Sequence, residues 1–403
     1  MLDAIISWIT SYWGVKTLII LGVFAVTLLV ATYSTLAERK VAGFLQDRLG
    51  PDRAGPFGLL QPLADAFKLF FKEDFIPGQA NRWLFIAGPC LSMLTALMAS
   101  AVIPFGDSFL VDGREISVQG IEVNIGILYI FGVISLGVYG VMIGGWASNN
   151  KFSLLGAIRA ASQNISYELA MGLSIIALLM LSGSLSLRAI TTQQSADFLG
   201  ISGFAWNVWY QPLGFVIFLV CAFAECNRTP FDLPECETEL IGGYHTEYSS
   251  MKLGFYLFSE YINMFVSSAV MATLYFGGFN YPGMEAVRQA LIDSLGLTLG
   301  HNLATGLGML AFFGKILFGI FFFMWVRWTV PRFRYDQLMN LGWKGLIPLA
   351  MANVVFTGMA ILFDIPYLNG LLLGLVVLLF VVQSAASTRR PARQPVRPQN
   401  LPA

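Results

Sequence analysis

The densest chemical signal in the chain is acidic. Between Glu225 and Glu260 seven carboxylates, Glu225, Asp232, Glu235, Glu237, Glu239, Glu247 and Glu260, face two bases, Arg228 and Lys252. Like charges this close raise one another's pKa where water is scarce and keep some carboxyls protonated near neutral pH, which suits proton relay. A solvated acidic loop is the alternative, but Phe231, Leu233, Leu240, Tyr244, Tyr248 and Phe255 interleave with the acids and point to packing. Upstream, Glu168 stands inside an apolar run, SQNISYELAMGL, beside Tyr167 and one turn after Gln163 and Asn164. An ionisable side chain at such a place costs roughly 2.5–3.5 kcal/mol on insertion scales, so it faces a partner or a polar cavity. Glu225 closes one apolar run, Glu260 opens the next, and Lys315 is the only deep base. A structural ion pair is the plainer reading of each; three carboxylates with few bases nearby in sequence favour a proton route.

Other chemistries find no residues. There is no P-loop and no G-x-G-x-x-G between a strand and a helix. Cys221, Cys226, Cys236 and His245 match no zinc or iron–sulfur spacing, and with His301 the only other histidine, paired haem ligation is not expected. No metal or cofactor is expected on this chain, so redox chemistry would belong to another polypeptide.

The elements that must position these acids are membrane helices. Of 403 residues 56% are apolar and 12% charged, against about 25% charged in soluble chains, and mean hydropathy is +0.68. Basic and acidic residues number 24 each, so no global basic field attracts nucleic acid. Nine windows reach the roughly 20 apolar residues that a bilayer core requires: Val15 to Tyr33, Leu84 to Ile103, Ile125 to Trp146, Ile165 to Leu185, Trp206 to Ala224, Tyr261 to Phe279, Gly306 to Val326, Ile347 to Phe363 and Pro366 to Ser384. The nine tryptophans fall at or just beyond their ends, where indoles prefer the headgroup level. With the N-terminus outside, 19 of the 24 Lys and Arg lie in cytoplasmic segments, as the positive-inside rule demands. The expectation is an all-α, polytopic transmembrane bundle of about nine spans plus one interfacial helix, N-terminus outside and C-terminus cytoplasmic. It forms a single membrane domain over residues 1–386, with structured cytoplasmic loops at 34–83 and 225–260. The first apolar run reads as an uncleaved anchor, and the Pro- and Arg-rich stretch 387–403 reads as a disordered cytoplasmic tail.

The interfacial helix is expected at Gln61 to Lys72. Leu63, Ala66, Phe67, Phe70 and Phe71 recur at helical spacing opposite Asp65, Lys68 and Lys72. It lies either in the membrane interface or against its own bundle; in the interface, it would border an opening for a lipid-soluble molecule.

Four stretches then resemble one family: AERKVAGFLQDRLGPDRAGPFGLLQPLADAFKLFFKED from Ala37, GGWASNNKFSLLGAIRAASQNISYE from Gly144, NRTPFDLPECETELIGGYHTEYS from Asn227 and RFRYDQLMNLGWK from Arg332. They are similar to the quinone-channel membrane subunit of proton-pumping NADH:quinone oxidoreductase (respiratory complex I), the family called NADH dehydrogenase subunit 1 in mitochondria. The resemblance implies a subunit of the bacterial inner (plasma) membrane that lines the quinone tunnel. It would dock soluble quinone-site and iron–sulfur subunits, which carry flavin and clusters, and adjoin small membrane and antiporter-like subunits. It implies tunnel or loop positions at Arg39, Arg48, Asp65 and Lys68, and a basic cap at Arg327, Arg332, Arg334 and Asp336. It assigns the quinone tunnel and its acidic proton route to Arg159, Glu168, Glu225, Arg228, Asp232, Glu235, Glu237, Glu239, Glu247, Glu260 and Tyr261. Cys226 stands where the family commonly has Thr, and Pro282 to Asn302 resembles an insertion. A membrane subunit of a related hydrogenase, a stand-alone ion transporter and a purely structural anchor are the competing expectations.

Overall fold

The computed structural model describes residues 12–111, 113–198, 200–233, 241–365 and 370–376. In chain order these form α1 (Tyr12–Leu45), α2 (Gln61–Phe70), α3 (Arg82–Ser100), β1 (Pro104–Val111), β2 (Arg114–Gln119), α4 (Gly126–Ala147), α5 (Lys151–Ser182), α6 (Leu187–Gln193), α7 (Asn207–Tyr210) and α8 (Pro212–Glu225). There follow α9 (Ser250–Tyr275), α10 (Met284–Leu295), α11 (Leu297–Thr329), α12 (Tyr335–Asn340) and α13 (Ile347–Leu362). Seven helices are long and apolar enough to cross a bilayer, α12 and α13 counting as one through a π-helical turn at Leu341–Leu346. The apolar α8, with 14 residues, is shorter than these seven. The chain is thus an all-α, multi-pass membrane bundle. The ninth window lies largely outside the described residues, which include only its stretch 370–376, a helical one. The tail 387–403 lies wholly outside them.

Several boundaries differ from the sequence expectation, each for a physical reason. The helix of the first span continues to Leu45, so the first dozen residues of the expected 34–83 loop are helical. No Gly-Pro breaker occurs before Gly50-Pro51, and one face of small or buried residues, Thr27, Ala31, Ser34, Glu38 and Ala42, runs through the whole length. Likewise α5 begins at Lys151, capped by the Asn150 side chain, and α9 begins at Ser250. Glu260 and Tyr261 therefore lie within a helix and do not open one. The fifth span starts at Pro212, because the Trp206–Gln211 stretch forms a separate short turn. The hairpin β1–β2, unforeseen in an all-helical reading, closes the end of the bundle opposite the acidic segment. Its carbonyls are met by Lys16, which reaches Ser117 and Gln119, and by Asn302 and Thr305 of α11.

Helix α2 forms as its periodicity predicts, ending at Phe70, before Lys72. Its apolar residues Leu63, Phe67 and Phe70 and the following Phe71 are exposed, so this face does not pack on the bundle. Asp65 on the polar side pairs with Arg39 of α1 at 2.6 Å. The main core lies among α3, α4, α5, α8, α9, α11 and α13, centred on Tyr167, Phe218, Phe265, Phe312 and Phe323.

Candidate functional site

The site is assembled where α8 ends. Gln163, fully buried on α5, donates through Nε2 to the carbonyls of Ala224 (2.9 Å) and Phe231 (2.8 Å). This clasp holds the turn that carries Glu225, Arg228 and Asp232. A second clasp holds the Gly243–His245 turn, where Ser153 donates to the Tyr244 carbonyl at 2.7 Å. Gly156 makes that contact possible, since a Cβ there would lie 2.7 Å from the Tyr244 nitrogen. The Tyr244 hydroxyl in turn donates to Glu260 at 3.2 Å. Tyr248 stacks on Phe85 with ring centroids 4.1 Å apart and donates to the Gly144 carbonyl; burial pushes its hydroxyl pKa above the usual phenolic range.

These clasps enclose a polar cavity of about 30 Å³ lined by Asn164, Glu225, Asn227, Tyr244, Ser259, Glu260 and Asn263, with Ser92 and Thr95 of α3 opposite. A water needs at least about 10–15 Å³, so about two waters fit. Glu225 is 7% exposed, and its Oε2, like Asn164 Oδ1, is a buried acceptor with no protein donor. Glu168 accepts a hydrogen bond from Ser135 of α4 and interacts electrostatically with Glu225.

On the far side of Glu260 lies a buried ion-pair cluster. Arg228 (3% exposed) donates to Glu38 (5% exposed) at 2.7 Å, Arg327 donates to the other Glu38 oxygen, and the Arg228 guanidinium lies 4.4 Å over the Tyr261 ring. Burial alone opposes the Arg228 charge, but the Glu38 carboxylate outweighs it and raises the pKa, with a contribution from Glu260. An electrostatic series results, from Glu168 through Glu225, the cavity and Glu260 to Arg228, Glu38 and Arg327. Its members come from α1, α5, α8, α9 and α11 and from the turn after α8. A change of charge at one member alters the field at the next.

The remaining expected residues fall elsewhere. Asp232 pairs with Arg332 at 2.6 Å, and Arg159 lies 5.6 Å over the Tyr335 ring; these form a cap above the cluster. Glu247 is not at the cavity but accepts from Asn150 at the start of α5, at 2.6 Å. Arg48, Lys68, Arg334 and Asp336 are exposed. Glu235, Glu237 and Glu239 lie outside the described residues. Glu38 was missed in sequence; the signal for it was the face of buried small residues carrying α1 beyond Tyr33. Lys315 is no partner of the acids: its ammonium donates to the carbonyls of Phe276 (2.7 Å), Gly278 (2.8 Å) and Asn280. Among the described residues no group of His, Cys, Asp or Glu is arranged to hold a metal ion.

The profile of a family described as NADH dehydrogenase matches residues 17–358, which include every member of this electrostatic series. The chain belongs to that family. It is 63% identical over 347 residues to the NADH-quinone oxidoreductase H subunit of Flavobacterium johnsoniae, covering 86% of this chain and 95% of that one. It is likewise 63% identical to an H subunit of the NADH-quinone oxidoreductase of Cytophaga hutchinsonii, covering 86% and 96%. NADH-quinone oxidoreductase subunit 8 of Rhodothermus marinus is 45% identical over 350 residues, covering 87% and 97%. The match in length means that the membrane bundle and the acidic segment belong to the part shared with this NADH dehydrogenase family.

Proposed function

We propose that the chain is the quinone-channel membrane subunit of a bacterial NADH-quinone oxidoreductase, a single membrane domain over residues 1–386 in the inner membrane, N-terminus outside. It lines the path by which quinone reaches the soluble arm, docks that arm, and converts quinone reduction into a change of protonation. It carries no redox centre of its own; flavin and iron–sulfur clusters reside on partner subunits. Quinone arrives beside α2, whose exposed Leu63, Phe67, Phe70 and Phe71 offer an apolar face to the membrane. Arg39, Arg48, Asp65, Lys68, Arg159, Arg332 and Arg334 serve the tunnel mouth and the docking surface; small membrane and antiporter-like subunits adjoin the bundle.

The observation that carries the reading is the electrostatic series. Reduction of a quinone near the cap takes up charge, which acts first on Arg228 and Arg327. Glu38 and Tyr261 respond beside them, and Glu260, Glu225 and Glu168 exchange protons through the cavity. Asp232, Glu235, Glu237 and Glu239 belong to the same acidic route on the cytoplasmic side, and Glu247, held by Asn150 away from the cavity, borders it there.

Glu168→Gln and Glu225→Gln in the assembled complex test this. Coupled quinone reduction is expected to fall about tenfold or more, which is about 1.4 kcal/mol of the barrier, while NADH oxidation by an artificial acceptor persists. Full coupled turnover in both variants would refute the assignment. Purification of the chain in mild detergent with flavin, iron and NADH:quinone reductase activity supports the complex; ion flux by the isolated chain in liposomes would support a transporter in its place.

A further inference from the structure

Four hydroxyls line the polar cavity that Glu225 and Glu260 share, those of Ser92, Thr95, Tyr244 and Ser259. Three are committed within the protein: Thr95 donates to the Leu91 carbonyl at 3.0 Å, Ser259 to the Tyr256 carbonyl at 2.7 Å and Tyr244 to Glu260. Ser92, on α3, is different. A helical serine can turn its hydroxyl back onto the carbonyl four residues earlier, as Ser135, Ser166 and Ser268 do. Ser92, 6% exposed, does not, and its Oγ has no partner among the described residues. It lies against α4 at Gly140, where a Cβ would collide with it, so that glycine leaves room for the hydroxyl.

Two further residues of the same lining share this condition. Glu225 Oε2 and Asn164 Oδ1 are buried acceptors with no donor among the described residues. Each such group costs free energy if it stays unmet in a buried place, so three of them around one space call for a common partner. That partner must donate two hydrogen bonds and accept one, because a carboxylate and an amide oxygen only accept, whereas a hydroxyl does either. Water meets the count, since a buried water makes about three hydrogen bonds. The cavity of about 30 Å³ has room for it and for a second.

We propose that Ser92, Asn164 and Glu225 form a water-binding site in which Ser92 is a positioning residue for proton transfer between Glu225 and Glu260. The inference rests on the proton route of the proposed function and adds α3 to it. With Glu225 ionised, the water donates to Glu225 Oε2 and to Asn164 Oδ1 and accepts from Ser92. With Glu225 protonated, the carboxyl donates to the water and the Ser92 hydroxyl rotates to accept. Only a hydroxyl serves both states, since Asn164 Oδ1 never donates. In the transfer the Glu225 O–H bond breaks as an O–H bond forms on the water. This water passes one of its own protons to the second water, which gives one to Glu260. Glu225 ends ionised, Glu260 ends protonated, and both waters end neutral.

The test is Ser92→Ala and Ser92→Gly in the intact complex, beside Glu225→Gln, with coupled quinone reduction followed in light and in heavy water. Ser92→Ala is expected to lower the coupled rate about fivefold, the effect of one lost hydrogen bond to the water. Its solvent isotope ratio should rise above that of the unaltered complex, because transfer through the cavity becomes limiting, while NADH oxidation by an artificial acceptor stays unchanged. Ser92→Gly frees the space of a hydroxymethyl group for a further water, and should run within about twofold of the unaltered complex, since a bridging water is nearly as good as a direct hydrogen bond. A merely structural serine predicts the reverse order, glycine being the poorer helix residue, and that order would overturn the proposal. So would Ser92→Ala at full rate while Glu225→Gln is slow, which leaves the proton route standing without this site; full rate in both would remove the route as well. A sodium requirement of the coupled rate that Ser92→Ala abolishes would also overturn it, in favour of a cation at the same three oxygens.

Discussion

Replacing Glu38 by Gln leaves Arg228 buried with no carboxylate in direct contact. Removing one partner of a buried ion pair costs about 3–5 kcal/mol, because the remaining charge keeps its desolvation penalty. Arg228, 3% exposed, retains only the Tyr261 ring and the more distant Glu260. Arg228→Met is milder. Glu38 still holds Arg327, so only one charged hydrogen bond is lost, about 1.5–3 kcal/mol. The double variant removes the uncompensated charge together with its partner, and should lose at least about 1 kcal/mol less than the two single losses combined. The assay is a double-mutant cycle on SDS-induced unfolding in mixed micelles, with coupled quinone reduction measured in parallel. The expected order of damage is Glu38→Gln first, then the double variant or Arg228→Met. Strict additivity, or Arg228→Met worse than Glu38→Gln, would refute the argument that Glu38 is the common counter-charge for two guanidiniums.

Other consequences follow from the same geometry. Gly156→Ala forces a Cβ to within 2.7 Å of the Tyr244 backbone; a loss of about 1–3 kcal/mol and weakened coupled turnover are expected in the same two assays. Lys315→Met strips the donor from three carbonyls at hydrocarbon depth and should cost about 3 kcal/mol in SDS unfolding, with artificial-acceptor NADH oxidation unchanged. Asp65→Asn breaks a pair whose side chains are 49% and 32% exposed; thermal unfolding should register no more than about 1 kcal/mol, shrinking further in high salt.

The membrane class, the places of the apolar segments, the amphipathic α2 and the concentration of acids were legible in sequence alone. Each depends on composition or on spacing within about twenty residues, and a bilayer permits so few backbone solutions that local hydropathy decides the element. The helix ends were less legible, because α1, α5 and α9 run past the apolar windows into polar stretches that local hydropathy does not assign to a helix. Which acids work together was decided only by the tertiary structure. Glu38 meets Arg228 across 190 positions and Arg327 across 289, while Glu247, a near neighbour of the cavity acids in sequence, is drawn away to Asn150. Lys315, read as a lone deep base, proved to be the fastening of a loop. Burial and the partner of a charge are properties of packing between helices, and no local pattern of residues specifies which helix a side chain will face.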